Sequence, residues 1–333
     1  LTKNRIHHGR DTGVHVYENG QGLLEDNDIY SNEADGIYIT TGGNPTMKLN
    51  KIHDGKTNGV HCADQGKGFL EENKIYANMA SGVSIETGGN PTLRSNFIYN
   101  GHENGVTVHN NGQGVLEEND ISGNVAAGVE INTGGDCTLR NNRIHGSKNG
   151  VYVNDDGCGT LEGNELFECE LAGINVETGG NPMVVGNTVK NCVANNTRTV
   201  DEVDKRGGQY DGKGNGIYVH NNGKGNFESN DINGCSLAGV NIETGAEPVF
   251  TRNKIHDSLG NGVYVNDYGQ GLLEENDIYS NRLAGVNVET SGNPTLRRNR
   301  IYDGKSKGVY IHDNGLGWFV ENEVNNNVGP GVS

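Results

Sequence analysis

The sequence is poor in large apolar residues and in positive charge. Only 32% of its 333 residues are hydrophobic, and a single Trp is present. No apolar stretch approaches the roughly 20 residues that a membrane span requires. Lys and Arg number 26 against 43 Asp and Glu, which gives a formal charge of −17. Nucleic acids and anionic membrane surfaces attract basic faces, so we expect neither as a partner.

What the sequence has instead is an internal repeat. A shift of 46 residues places residues 22–29 on 68–75 and then on 114–121, and a shift of 23 residues aligns a recurrent Asn. Self-similarity at a fixed period predicts a stacked repeat, in which each unit buries its apolar side against its neighbours. The recurrent Asn occupies positions 4, 27, 50, 73, 96, 119, 142, 164, 187, 230, 253, 276, 299 and 322.

Each 23-residue unit contains three short apolar patterns. One lies three residues before the Asn (Leu70), one two residues after it (Ile75), and the third reads Gly-Val-x-Val or Gly-Ile-x-Ile, as in residues 13–16 and 36–39. Short period-2 patterns separated by Gly and Asn turns indicate strands. We therefore predict an all-β fold, a right-handed parallel β-helix of about 14 coils with a 46-residue double repeat. The recurrent Asn is expected to form an inward amide ladder.

The repeat also predicts the domain organisation. We expect a single domain over residues 1–333, and the repeat begins and ends inside a coil, which suggests a fragment of a longer chain. The one large break is an inserted loop at residues 193–212. Loops of this length are usually functional or disordered, and the sequence favours neither reading.

Charges alternate from coil to coil. Two residues before the Asn, the series runs Glu25, Lys48, Glu71, Arg94, Glu117 and onward in the same alternation. Opposite charges on neighbouring strands attract, whereas like charges would repel. We interpret this column as a device that fixes the register of the coils.

The six cysteines show no metal-type spacing. They are Cys62, Cys137, Cys158, Cys169, Cys192 and Cys235, and none forms a CxxC pair. The last three share one position in successive coils, which predicts a stack of small buried thiols. Free thiols favour a cytoplasmic or nuclear location, although the sequon at residues 195–197 points weakly towards secretion. We expect no cofactor and no metal.

The Gly-Val-x-Val segments define a candidate binding face. Their aliphatic side chains point inward, so the alternate residues point outward. In the C-terminal half Tyr recurs there on every second coil, with Asn and Glu between, whereas the N-terminal half is less regular. Such a face either is simply a solvated strand surface or recognises a peptide or a sugar chain. The candidate binding residues are Tyr152, Asn175, Glu177, Tyr218, His220, Asn241, Glu243, Tyr264, Asn287, Glu289, Tyr310 and His312.

Catalysis and metal binding are disfavoured on this face. Acid–base catalysis needs carboxyl groups in different environments, whereas Glu177, Glu243 and Glu289 occupy equivalent positions of the repeat. Lys and Arg do not accompany them there. The Glu and His residues also form a line rather than a cage, which is a poor metal site. We therefore assign no catalytic residues, and the sequence favours a binding protein over an enzyme without deciding between them.

The repeat motifs resemble a known family. The segments Gly-x-Gly-x-Leu-Glu-x-Asn-Asp-Ile (residues 20–29) and Asn-Pro-Thr-Leu-Arg-x-Asn (residues 293–299) are similar to the β-helix repeats of the F-box only protein 11 family, over nearly all of the chain. That resemblance implies the protein-substrate-binding region of a cullin-type ubiquitin ligase. The F-box and the Cys/His-rich zinc module of that family are absent here, so the resemblance implies a recognition scaffold and supplies no catalytic residues.

Two functions follow from these observations, and a spacer without a ligand is a third. The first is a non-catalytic scaffold that binds a protein substrate of an F-box-type ligase. The alternative is a β-helix protein that binds or modifies a polysaccharide, because the same repeat class occurs in carbohydrate-binding proteins and sugar hydrolases.

Overall fold

The computed structural model describes residues 1–193 and 214–333, which form 40 strands and no helix. Within residues 1–193 and 214–333, no helix is long and apolar enough to cross a membrane. Contacts divide the chain into two units, Leu1–Asn164 (unit 1) and Glu165–Ser333 (unit 2). In each unit every coil adds one strand to each of three parallel sheets, called A, B and C. Each unit is therefore a parallel β-solenoid, as the repeat predicts.

Unit 1 contributes seven strands to each sheet. Sheet B contains β1 (Arg5–His7), β4 (Asp28–Tyr30), β7 (Lys51–His53), β10 (Lys74–Tyr76), β13 (Phe97–Tyr99), β16 (Asp120–Ser122) and β19 (Arg143–His145). Sheet C contains β2 (Val14–Val16), β5 (Ile37–Ile39), β8 (Val60–Cys62), β11 (Val83–Ile85), β14 (Val106–Val108), β17 (Ala127–Ile131) and β20 (Asn149–Val153). Sheet A contains β3 (Gln21–Glu25), β6 (Asn44–Lys48), β9 (Phe69–Glu71), β12 (Thr92–Arg94), β15 (Gln113–Glu117), β18 (Asp136–Arg140) and β21 (Cys158–Glu162).

Unit 2 repeats the same order. Sheet B contains β22 (Glu165–Phe167), β25 (Thr188–Lys190), β28 (Asp231–Asn233), β31 (Lys254–His256), β34 (Asp277–Tyr279), β37 (Arg300–Tyr302) and β40 (Glu323–Asn325). Sheet C contains β23 (Ala172–Val176), β26 (Asn215–Val219), β29 (Val240–Ile242), β32 (Val263–Val265), β35 (Val286–Val288) and β38 (Val309–Ile311). Sheet A contains β24 (Met183–Val185), β27 (Asn226–Glu228), β30 (Val249–Thr251), β33 (Leu272–Glu274), β36 (Thr295–Arg297) and β39 (Trp318–Val320).

Strand register follows the sequence period. Ile75 of β10 pairs with Ile52 of β7 on one side and with Ile98 of β13 on the other, each 23 residues away, and all three are fully buried. Equivalent residues therefore stack in columns, and each unit's core is a narrow channel of such columns. Burial of these aliphatic side chains supplies the main stabilising free energy.

The recurrent Asn forms the predicted amide ladder. Asn119 is 1% exposed, and its Nδ2 donates to the Leu93 carbonyl at 2.9 Å and to Asn142 Oδ1 at 2.9 Å. Its backbone N–H donates to the same Asn142 oxygen at 2.9 Å. The ladder thus gives hydrogen-bond partners to buried backbone and amide groups. Leaving such a group without a partner would cost about 1–3 kcal/mol.

The alternating charges lie in register. Lys48 Nζ lies 2.5 Å from Glu71 Oε2 in unit 1, and Arg300 Nη1 lies 3.3 Å from Asp277 Oδ1 in unit 2. Exposed pairs of this kind contribute about 0–1 kcal/mol each. Their main consequence is that a pairing which skipped one coil would place like charges together, as with Glu25 and Glu71.

The cysteines and the insertion complete the fold. Cys169, Cys192 and Cys235 are fully buried, and no described cysteine forms a disulfide, which agrees with the predicted thiol stack. The compartment stays a prediction. Of the inserted loop at residues 193–212, only Val193 is described, and its N–H donates to the Cys169 carbonyl at 3.0 Å. The rest of the loop lies outside the described residues.

Candidate functional site

The outer face of sheet C presents the predicted residues. In β26 the side chains of Ile217 and Val219 are fully buried in the core, so Tyr218 between them points to the other face. Eleven of the candidate residues occupy this outer face in unit 2, here called the unit 2 face. Tyr152 lies on the outer face of unit 1. The alternation in the sequence therefore predicted the outward direction of these side chains, and their role in binding stays a prediction.

A first group of side chains on the unit 2 face centres on Tyr218 and His220. Their rings stack with centroids 4.0 Å apart, and the Tyr218 hydroxyl donates to Glu243. His220 Nε2 lies 3.1 Å from Asn175 Oδ1, and its Nδ1 lies 3.4 Å from Glu177 Oε2. These contacts join residues from three successive coils into one hydrogen-bonded group.

Burial decides the charge states of this group. It lowers the pKa of His220 despite the opposing charges of Glu177 and Glu243, so the imidazole is neutral at pH 7. Burial also raises the pKa of Tyr218, and the hydrogen bond to Glu243 raises it further. The phenol is therefore a fixed donor.

A second group lies two coils further along the unit 2 face. The Tyr264 hydroxyl donates to Glu289 Oε1 at 2.5 Å. His312 Nε2 lies 3.0 Å from Glu289 Oε2 and 3.1 Å from Asn287 Oδ1. The Tyr310 ring stacks on His312 at a centroid distance of 4.1 Å. The Tyr–Glu hydrogen bond of the first group is thus repeated after 46 residues.

The tyrosine rings are more buried than a flat aromatic surface would require. Tyr218 is 9% exposed and Tyr264 is 7% exposed. Tyr218 is paired in register with Asn175 on one side and Asn241 on the other, and it lies flat against His220 of its own strand. Solvent therefore meets mainly carboxylate and imidazole groups here. The Asn241 amide is buried beneath them, and its Nδ2 lies 3.3 Å from Glu243 Oε2.

In unit 1 the candidate Tyr152 lies beside Glu130. The two residues pair in register between β17 and β20. Glu130 accepts hydrogen bonds from Asn104 at 2.6 Å and from Asn154 at 3.1 Å. Tyr152 is half-buried at the edge of this polar network.

A group that the sequence analysis did not select lies on the same face of unit 1. His61 Nδ1 lies 3.0 Å from Asp35 Oδ2, and its Nε2 lies 2.9 Å from Glu86 Oε1. Glu86 Oε2 also accepts from Asn110 at 3.1 Å and lies 3.8 Å from His109 Nε2. The signal for these residues was irregularity, because His61 and Glu86 interrupt the Tyr/Asn alternation. Asp35 lies in a turn before β5, outside the outward pairs of the repeat.

This group holds its carboxylates ionised. Burial alone would raise the pKa of Asp35 and lower that of His61, but their mutual hydrogen bond and charge outweigh burial. The pKa of Asp35 is therefore lowered and that of His61 raised. Burial would likewise raise the pKa of Glu86, but hydrogen bonds from Asn110 and His61 lower it. The arrangement is an imidazolium held between two carboxylates.

Among the described residues, one group has the composition of a metal site. Donor atoms of Glu289, His312 and Asp313 all lie within 4.8 Å of one another. The first two belong to the predicted face, whereas Asp313 follows it in the adjoining turn.

A comparison with protein families places the chain. The family model described as right handed beta helix region matches residues 1–98, 81–207 and 193–333. The chain belongs to the right-handed β-helix family. The match confirms the predicted fold class, including its hand. No curated protein matches this β-helix protein.

Solved structures share the fold at low identity. The periplasmic alginate epimerase AlgG has a TM-score of 0.54 and 14% identity, over 89% of this chain and 74% of AlgG. A TibC-catalyzed hyper-glycosylated TibA fragment has a TM-score of 0.50 and 16% identity, over 98% of this chain and 99% of the fragment. At these identities the likeness is one of fold alone. None of these matches supports a specific relation to the F-box only protein 11 family.

Proposed function

We propose that this protein binds a neutral polysaccharide along the unit 2 face. The observation that carries the proposal is the repetition of one hydrogen-bonded pair. Tyr218 donates to Glu243, and 46 residues later Tyr264 donates to Glu289. Two coils separate the pairs, a distance of about 9.6 Å at the usual strand spacing.

A periodic face suits a periodic ligand. A sugar chain presents the same hydroxyl groups at regular intervals, so one chain can use both Tyr–Glu pairs in the same way. The surface of a folded protein has no such period. This difference favours a polysaccharide over a protein substrate.

The chemistry of the face suits sugar hydroxyls. Carboxylate oxygens of Glu177, Glu243 and Glu289 accept hydrogen bonds, and the His and Asn groups beside them add further acceptors and donors. Their geometry is already fixed by contacts within the face, such as the 3.1 Å contact between His220 Nε2 and Asn175 Oδ1. Preorganised groups lose little conformational entropy on binding.

The negative charge of the unit 2 face favours a neutral polymer over a polyanion. The face carries three Glu carboxylates, and the whole chain has a formal charge of −17. A polyanionic chain would be repelled from such a surface. The fold shared with an alginate epimerase is therefore no reason to expect alginate as the ligand.

The proposal is for binding without turnover. Glu243 and Glu289 each accept a tyrosine hydroxyl as their shared contact, and two coils, about 9.6 Å, separate them. Acid–base hydrolysis of a glycoside requires one protonated and one ionised carboxyl, which demands environments that differ.

The second candidate is the protein-substrate scaffold of an F-box-type ligase. It is favoured by the repeat motifs at residues 20–29 and 293–299. A cytoplasmic or nuclear location belongs with this candidate and is supported by the free thiols.

Affinity electrophoresis through gels containing a neutral polysaccharide tests the proposal. A β-glucan, a xylan and a mannan are compared with alginate and polygalacturonate. We expect retardation by at least one neutral polymer and not by the polyanions. The Glu243→Ala/Glu289→Ala variant should lose it, because both acceptors are removed.

The matched control is Glu228→Ala/Glu321→Ala, which removes the same charge from sheet A and the turn beyond it. This control should be retarded like the wild type. Equal retardation of all three proteins, stronger retardation by the polyanions, or none by any polymer would contradict the proposal. Capture of a protein partner that is lost in the Glu243→Ala/Glu289→Ala variant would favour the scaffold instead.

A further inference from the structure

Three side chains that could ligate a metal ion lie close together at one end of the unit 2 face. His312 Nε2 lies 3.0 Å from Glu289 Oε2, and its Nδ1 lies 2.9 Å from Asp313 Oδ2. A neutral imidazole carries a hydrogen on only one nitrogen, so it can satisfy only one of these carboxylates. The two carboxylates lie beside different nitrogens of one ring, so a metal ion would bind one of these nitrogens together with the carboxylates.

The repeat supplies internal comparisons for this group. Glu86, His109 and Asn110 occupy the equivalent positions in unit 1, and Glu177, His220 and Asn221 occupy them earlier in unit 2. In both cases the Asn side chain donates to the Glu carboxylate, at 3.1 Å and 2.9 Å respectively. In these two groups an amide therefore donates to the carboxylate beside the imidazole.

The third group, Glu289, His312 and Asp313, has one more negative charge because of Asp313. Asp313 stands where the other two groups have Asn, and a carboxylate has no hydrogen to donate. Two negative groups therefore face one imidazole. A fourth equivalent set, Glu243, Asn266 and Asp267, has the acid but lacks the His. Within the described residues, the combination of Glu, His and Asp at these positions occurs once.

The donors suit a transition metal. Imidazole nitrogen with carboxylate oxygens is a usual set for Zn²⁺, whereas Ca²⁺ prefers oxygen ligands alone. Tetrahedral ligands of Zn²⁺ lie about 3.3 Å apart, given metal–ligand distances near 2 Å. Donors that already lie within 4.8 Å of one another reach that spacing through side-chain movement. Asn287 Oδ1, 3.1 Å from His312 Nε2, offers a further oxygen.

Access and support also fit a metal site. The side chains of Glu289 and His312 are 22% and 24% exposed, and that of Asp313 is 77% exposed, so an ion can enter from solvent. The Tyr264 hydroxyl holds the other Glu289 oxygen at 2.5 Å. Such outer contacts orient the ligating groups.

We infer that Glu289, His312 and Asp313 bind a divalent transition metal ion, with Zn²⁺ as the fitting case. The site shares Glu289 with the proposed polysaccharide-binding face, but its detection needs no sugar, so the two proposals can fail separately.

Isothermal titration of the full chain with ZnCl₂, in a non-chelating buffer at pH 7.5, tests the inference. We expect one site per chain. His312→Ala and Asp313→Asn should each weaken it by about tenfold or more, since loss of even an outer contact has effects of that size.

Two variants act as internal controls. His220→Ala should leave zinc affinity unchanged. Asn221→Asp recreates the Glu–His–Asp set two repeats earlier and should add a second site. Thermal unfolding without metal checks that each variant is folded.

Several outcomes would overturn the inference. They are no binding by the wild type, equal affinity in His312→Ala, and loss of the site in His220→Ala rather than in His312→Ala. Binding of Ca²⁺ that is indifferent to His312→Ala would overturn the assignment to a transition metal.

Discussion

One residue type behaves in opposite ways at two places on the outer face of sheet C. His61 lies between two carboxylates that both contact its ring nitrogens, at 3.0 and 2.9 Å, and Tyr38 stacks on its ring. His220 contacts an amide and one carboxylate, the latter at 3.4 Å. The pKa of His61 is therefore raised, whereas burial lowers that of His220. Partner geometry decides the charge, and residue type alone does not.

This contrast predicts a pH dependence at His61. Because its pKa is higher in the folded chain, its stabilising effect is fully present below the unfolded value of about 6.5 and is lost as pH rises through the folded value. His61→Ala should reduce the free energy of unfolding by about 1–3 kcal/mol at pH 6, the usual size for charged hydrogen bonds, and by less at pH 9. Urea unfolding at both pH values measures this.

The titration of Asp35 does not contribute to the difference in stability between pH 6 and pH 9. The lowered pKa of Asp35 means that its stabilising effect is present above about 3.8, the unfolded value, and is lost only as pH falls through the folded value. It stays ionised at both pH 6 and pH 9. The control is His102→Ala at an exposed position. An equal loss of stability at pH 6 and pH 9 in His61→Ala would contradict the imidazolium assignment.

At the scale of the strand, the spacing of coils depends on glycine before the sheet C strands. A Cβ atom placed on Gly82 would lie 2.6 Å from the Gly105 carbonyl oxygen and 2.6 Å from Ile98 Cγ2. Both distances are shorter than real contacts, and the first partner is backbone of the next coil. The Gly of Gly-Val-x-Val therefore allows neighbouring turns to approach.

Gly82→Ala is accordingly expected to destabilise unit 1 by about 1–3 kcal/mol or more, as overpacking does. Gly186→Asn is the comparison, because its φ of +63° suits Asn and a Cβ there meets nothing within 4 Å. Urea unfolding midpoints measure both. If the two variants were equally stable, coil spacing would not depend on this glycine.

At the scale of the whole molecule, the period explains how much the sequence could predict. Identical spacing of Leu70, Asn73 and Ile75 in every coil determines which residues are buried and which neighbours they pair with. The fold class, the amide ladder and the outward face followed from that spacing alone. The burial of Tyr218 did not, because it depends on how the ring packs against His220 of the same strand.

The repeat period could not predict groups of side chains that include turn residues. Asp35 contacts His61 from a turn before β5, and Asp313 contacts His312 from a turn after β38. The outward pattern of Gly-Val-x-Val includes neither residue. Their roles depend on side-chain directions in turns, which spacing does not specify.

The central claim is that a periodic face recognises a periodic ligand, and oligosaccharide length tests it most directly. Affinities of a neutral oligosaccharide series, measured by titration calorimetry from the dimer upward, should rise steeply once the chain spans both Tyr–Glu pairs, about 9.6 Å apart. In Glu289→Ala the rise should disappear while short oligosaccharides bind as before. Affinity that does not depend on length in the wild type, or a rise that persists in Glu289→Ala, would contradict the account.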